Sequence, residues 1–363
     1  MLPQPLRRAA GMLALSLTSC LWCPAGNGRI TNVNAAAGAS LQQPAGDLLG
    51  GLRLGVCYSG FRHGQHPDRG AGAVNPSDAE ILQDLQILGR HGNFSLIRLY
   101  DSGTNSAAVL RLIAGHNIKL KVMLGAWLDA EVDNTNCPWL GQPPTPQVLA
   151  ANRLKNAAEV ARAIRLARQY SNVVVAVAVG NEALVSWNDH LVPVQSVIRY
   201  VRQVKQSVAQ PVTVADNYAW WARHGAELAG ELDFISVHSY PVWEGKDIDE
   251  GLAYTIANLQ AVRRALPHSR MVITEAGWAS VAREFGSRAS EPKQQRYYLE
   301  LCAWAGKMNM TTFFFEAFDE DWKGEANDPL GAEKHWGLFT IDRHAKLVMA
   351  DLYPDLKPSS ADR

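Results

Sequence analysis

Val173-Val174-Val175-Ala176-Val177-Ala178-Val179-Gly180-Asn181-Glu182 stays apolar until its last two residues. A run of that length without alternation reads as a strand buried on both faces of a parallel sheet. Met271-Val272-Ile273-Thr274-Glu275 repeats the arrangement, and it too meets its first acidic group at its end. In a (β/α)8 barrel the working side chains project from the C-terminal ends of the strands. Glu182 and Glu275 are therefore expected at one barrel mouth. Two carboxyl groups, one protonated and one ionised, are what cleavage of a glycosidic bond through a covalent intermediate requires.

Working outward, strands are predicted at 52–58, 95–100, 118–127, 173–179, 212–217, 232–240, 270–275 and 311–315. Helices are predicted at 76–91, 106–116, 146–170, 194–209, 249–266 and 292–308, with a short helical insert before the sixth strand. Eight strands in strict alternation with helices of this length call for a parallel sheet closed into a TIM barrel. Glu182 then ends strand four and Glu275 strand seven.

Of the 363 residues, 47% are hydrophobic and 19% charged, enough for one sizeable core. The 35 Lys and Arg balance the 35 Asp and Glu, so no net field favours nucleic acid or an anionic membrane surface. A neutral polysaccharide or oligosaccharide suits this balance, and a monomer is expected. Residues 1–25 read as an export signal: Arg7 and Arg8 precede an apolar run, Ala9 to Leu17, too short to span a bilayer permanently. Leu17-Thr18-Ser19-Cys20 also resembles a bacterial lipobox, in which Cys20 becomes the lipidated mature N-terminus. Cleavage near Ala25, or within Ala35 to Ala37, is the alternative. Residues 26–50 then form a flexible linker, 51–357 the catalytic domain and 358–363 a tail. The expected location is outside the cytoplasm: periplasmic, attached to the outer membrane, or extracellular.

Cys57, Cys137 and Cys302 are an odd set, and buried free thiols are the reading for them. His63 and His66 lack further nearby ligands, so neither a metal nor any other cofactor is expected.

Six ordered stretches resemble the family 17 glycoside hydrolases: Gly55-Val56-Cys57-Tyr58, Ile97-Arg98-Leu99-Tyr100-Asp101, Val179-Gly180-Asn181-Glu182, Thr274-Glu275-Ala276-Gly277-Trp278, Phe318-Asp319-Glu320-Asp321-Trp322-Lys323 and Glu333-Lys334-His335-Trp336-Gly337-Leu338-Phe339. The resemblance implies a barrel enzyme acting on β-1,3-glucan with retention of configuration, as an endo-glucanase or a glucosyltransferase. It implies Glu182 as acid/base, Glu275 as nucleophile, and Glu320 and Lys323 as accessory residues near the reacting sugar. Plant members usually read Ser-Glu-Ser-Gly-Trp where this chain has Thr274 and Ala276, which points to a bacterial branch.

Other candidates for the substrate site follow from position. Asn181 can reach a sugar 2-hydroxyl, a contact that strengthens in the transition state. Tyr240, ending strand six, can donate to Glu275 and hold it ionised. Arg98, inside an apolar strand, needs a carboxylate partner, and Glu275 is the natural one. Tyr58 and Tyr100 end strands one and two. Trp127, Trp187 and Trp243, in loops after strands, read as flat platforms for sugar rings. Trp278 and Trp336 read equally as platforms or core, and Trp304 and Trp322 as core. Glu320 and Lys323, three apart, have an exposed ion pair as their rival role, and the role of Glu316 is left open. Another retaining β-glycosidase on a similar barrel stays open, whereas the presence of both glutamates argues against a non-catalytic glucan-binding protein.

Overall fold

The computed structural model describes residues 40–358 apart from 45, 47, 52, 53, 69 and 71. The leader at 1–25 with Cys20, most of the 26–50 linker and nearly all of the 358–363 tail lie outside the described residues.

Eight parallel strands close in chain order: β1 (Leu54–Cys57), β2 (Leu96–Arg98), β3 (Lys121–Ala126), β4 (Val174–Asn181), β5 (Val212–Asn217), β6 (Ile235–Ser239), β7 (Met271–Ala276) and β8 (Thr312–Phe314). Around them stand α1 (Asp78–Leu88), α2 (Thr104–His116), α3 (Pro146–Gln169), α4 (Val194–Lys205), α5 (Tyr218–His224), α6 (Ala226–Ala229), α7 (Ile248–Ala265) and α8 (Glu291–Lys307). The pair α5 and α6 is the short insert, and the TIM barrel expected from the sequence is the fold found. It follows from the apolar runs: every described residue of β2, β6, β7 and β8 is buried.

Several boundaries differ for local reasons. The helix predicted from 76 begins at Asp78, because Ser77 caps it: Ser77 Oγ accepts from Glu80 N, and the Glu80 carboxylate accepts from Ser77 N. The strand predicted from 118 pairs only from Lys121, and the one predicted over 232–240 only over Ile235–Ser239. Extended residues outside the barrel's ladder do not count as strand. The described part of the 26–50 stretch is not a free tether. Leu41 and Leu49 are buried, and the backbone of Gln43 is bonded to Met308 and Asn309 beside the entry to β8.

Three register breaks lie at the C-terminal ends, and a fourth, in the β3–β4 pairing between Val122 and Met123, lies near the start of β3. The β4–β5 pairing shifts between Ala178 and Asn181, β6–β7 between Val237 and His238, and β7–β8 between Ile273 and Ala276. Such irregularities re-aim side chains and gather beside active sites. Here the second one sets His238 opposite Glu275.

Candidate active site

Two left-handed residues swing Glu182 over the barrel mouth. Gly180 has φ +86°, a conformation that suits glycine, and Glu182 itself has φ +46°. For a non-glycine residue that costs about 1–2 kcal/mol, so neighbours must hold it. Glu182 N donates to Ala215 O at 2.9 Å, Leu184 N to Asp216 Oδ2 at 3.0 Å, and Asn188 Nδ2 to Glu182 O at 2.9 Å. Asn134, from the β3–α3 loop, donates in turn to the carbonyls of Ser186 and Asn188.

Glu275 on β7 is buried, and both its oxygens are bonded. Oε1 accepts from Arg98 Nη1 at 2.5 Å and from Tyr100 OH at 3.1 Å, while Oε2 accepts from Tyr240 OH at 2.6 Å. Burial opposes ionisation, but His238, Arg98 and Tyr240 outweigh it and hold this carboxyl below the usual range. Arg98 also donates to Asn181 Oδ1 at 2.5 Å, which leaves the Asn181 amide nitrogen as a donor. Tyr100 can reach Glu275 because the chain crosses close over Gly125, where a Cβ would lie 2.3 Å from the Tyr100 carbonyl carbon.

His238 on β6 stands between the glutamates, its Nδ1 3.0 Å from Glu182 Oε1 and 3.5 Å from Glu275 Oε2. One oxygen from each glutamate and this nitrogen all lie within 4.8 Å of one another. Retaining glycosidases place their two carboxyls about 5–5.5 Å apart, and inverting ones about 6.5–9.5 Å apart.

Sequence reasoning missed His238, although it shares a strand face with Tyr240 two residues on. It also missed Asp216, the first acid after the apolar residues of β5. Burial and the nearby Glu182 push the Asp216 carboxyl well above its ordinary range, against the backbone N–H groups of Asn217 and Leu184.

Lys323 and Glu320 do not form a surface pair. Glu320 is buried and accepts from Ser59 Oγ at 2.7 Å. Lys323 Nζ lies 2.6 Å from Glu316 Oε2 and 2.8 Å from Glu320 Oε2. One ammonium cannot balance two buried carboxylates, so burial and Glu320 push Glu316 well above its ordinary range despite Lys323. Glu333, from the loop after β8, is raised by burial and by its proximity to Glu182 and Glu275, against the pull of Lys323.

Two expected substrate residues are corrected. Tyr58 is buried and donates to Asp84 Oδ2 at 3.2 Å, within an ion network with Arg62 and Arg343. Its hydroxyl serves that network rather than a sugar. Trp278 is fully buried, packs on Tyr297 at 5.3 Å and donates Nε1 to Arg288 O. Its indole belongs to the core, seated against Gly251 of α7 and Tyr297 of α8. Trp336 is buried too, against Tyr240 and Phe315. Trp127 is partly exposed on His190, Trp187 is 38% exposed and Trp243 45%, the last leaning on Phe285.

Cys57, Cys137 and Cys302 are free thiols, the first two buried. His63 pairs with Asp321 and Asp342, and His66 faces the carbonyl of Pro67. Glu182, His238 and Glu275 form the one potential metal-ligating group among the described residues. The Arg98 cation already sits on Glu275 there, which suits a carboxylate pair better than a second cation.

Residues 55–337 match the model of the BtgE/BtgC glycoside hydrolase domain. The chain belongs to that family. This glycoside hydrolase is 26% identical over 286 residues to a glucan 1,3-beta-glucosidase of Arthroderma benhamiae, covering 74% of this chain and 83% of that protein. It spans only 40% and 39% of the btgC proteins of Aspergillus niger and Aspergillus clavatus that it also matches. Among solved structures, an endo-laminarinase from Formosa superposes with a TM-score of 0.70 at 26% identity, covering 84% of this chain and 87% of that one. A Rhizomucor miehei beta-1,3-glucanosyltransferase, solved as an active-site mutant with laminaritriose, shares the fold: TM-score 0.62, 23% identity, 82% of this chain and 96% of that one.

Proposed function

We propose that this hydrolase cleaves β-1,3-glucan internally with retention of configuration, by family 17 chemistry, and transfers part of the glycosyl-enzyme to sugar acceptors. The observation that carries the reading is the approach of a Glu182 oxygen to a Glu275 oxygen within 4.8 Å, next to the retaining spacing of about 5–5.5 Å and well short of the inverting one of about 6.5–9.5 Å. Glu275, held ionised by Arg98 and Tyr240, attacks the anomeric carbon. Glu182, its side chain 20% exposed, protonates the departing oxygen and then deprotonates the incoming water or sugar hydroxyl. Arg98 and Tyr58 do not touch substrate: the first orients Glu275 and Asn181, and the second braces β1. Asn181 offers its amide to the sugar 2-hydroxyl, and Trp127 and Trp243 offer apolar faces to flanking rings. Trp139, 58% exposed in the β3–α3 loop, gives an acceptor a further platform, which favours a transfer component.

Thr274 and Ala276 support a bacterial branch, and residues 1–25 an exported enzyme, either tethered through a lipidated Cys20 or released by cleavage near Ala25 or within Ala35 to Ala37.

Glu275→Ala tests the reading: laminarin turnover should disappear, and azide should restore cleavage of an activated aryl β-laminaribioside, giving the α-glycosyl azide. Near wild-type turnover, or a β-azide, would refute the assignment.

A further inference from the structure

The imidazole that helps to keep Glu275 ionised lies against both glutamates. His238 is fully buried, with Nδ1 3.0 Å from Glu182 Oε1 and 3.5 Å from Glu275 Oε2. Its Nε2 is enclosed with no hydrogen-bond partner among the described residues. A neutral imidazole has one N–H and one lone pair. An N–H sealed away unpaired is the costlier orphan, and Nδ1 faces only carboxylates, so the ring's proton lies on Nδ1.

The reaction moves one negative charge between these carboxylates. In the first half, a Glu275 oxygen bonds to the anomeric carbon and the glycosidic bond breaks. Its electron pair goes to the leaving oxygen, which takes the Glu182 proton. Glu275 becomes a neutral ester and Glu182 an anion. In the second half, water gives a proton to Glu182 and its oxygen bonds to the anomeric carbon. The ester's electron pair then returns to Glu275. The donor between the two carboxylates is nearer to Glu182.

We propose that His238 is a positioning residue whose Nδ1–H, seated on Glu182, holds the carboxylate that forms there as the charge crosses, and that it governs resolution of the glycosyl-enzyme. The proposal rests on the roles given above to Glu182 and Glu275. Without that donor, the newly formed Glu182 carboxylate is neither stabilised nor aimed at the incoming water.

An activated substrate isolates this second half, because 2,4-dinitrophenyl β-laminaribioside departs without a proton. In His238→Leu, kcat and KM should fall together by about tenfold or more, the loss of one hydrogen bond to a charged group. Dinitrophenolate should appear as a burst matching the enzyme, and azide, which needs no base, should raise kcat severalfold. His238→Asn, whose amide N–H takes the place of Nδ1, should recover most of the rate, whereas His238→Gln should not. A lower kcat with unchanged KM and no burst would overturn the proposal, as would equally slow Leu and Asn variants. Nitrogen NMR of the wild-type protein gives an independent reading, since a proton found on Nε2 would also overturn it. A fluorinated laminaribiosyl fluoride separates the two levels. If it fails to label Glu275 in the wild type, the parent assignment falls and this one with it. A labelled Glu275 without a burst in His238→Leu removes only the role of His238.

Discussion

Glu275 is ionised in a place that should keep it protonated. Burial alone raises a carboxyl, and here Arg98, Tyr240 and His238 reverse the sign. A depressed value means that the active, ionised form persists as pH falls and is lost only below the ordinary carboxylate range. By the same sign, the stability this group contributes is present above its unfolded value and is lost as pH drops through the folded one. Tyr240→Phe removes one of the donors, so the acidic limb of kcat/KM against pH should move to higher pH. An unmoved limb would show that Tyr240 does not set the charge on Glu275. Glu182 makes a different demand. Glu182→Gln should lose rates of about a hundredfold or more on laminarin, where the leaving oxygen needs a proton, and far less in the release of dinitrophenolate. Equal losses on both substrates would count against Glu182 as the acid. Both glutamates could be read from the sequence, because each is the first acid after an apolar run. Asp216 obeys the same rule and His238 shares a face with Tyr240, so both were legible in principle. What hid them is that a polar residue ending a strand looks the same whether it faces the mouth or a neighbouring helix.

At the scale of elements, apolar periodicity located all eight strands, while their ends depended on pairing with neighbours, which one strand's sequence does not carry. The register breaks beside Asn181, His238 and Ala276 are likewise invisible in any single strand. The same limit explains the tryptophans. Trp278 follows a strand and resembles a platform, yet its indole is buried against Gly251 and Tyr297 of the surrounding helices. Trp278→Ala should therefore cost about 3–5 kcal/mol of stability, measured by denaturant unfolding. Trp243→Ala should leave stability within about 0.5 kcal/mol and instead raise KM for laminari-oligosaccharides. A reversed pattern would return Trp278 to the substrate face. Gly125 makes a comparable element-level demand, since any side chain there meets the Tyr100 backbone. Gly125→Ala should lower kcat by displacing Tyr100 from Glu275.

For the whole molecule, the barrel supplies a frame on which eight strand ends converge, and the proposed chemistry draws on four of them: β2 for Arg98, β4 for Glu182, β6 for His238 and Tyr240, and β7 for Glu275. The proposed membrane attachment is a separate matter and rests on the lipobox-like Leu17-Thr18-Ser19-Cys20. Cys20→Ser should release the enzyme from the membrane fraction and make its processing insensitive to globomycin. An unchanged distribution and precursor size would remove the lipid anchor. The central claim is that two carboxyls this close act in succession through a covalent intermediate. Proton NMR of laminarihexaose during the first minutes of hydrolysis, before the anomers equilibrate, tests it most directly. The new reducing ends should appear first as the β-anomer, and their appearance as the α-anomer, or the absence of any cleavage, would contradict the account.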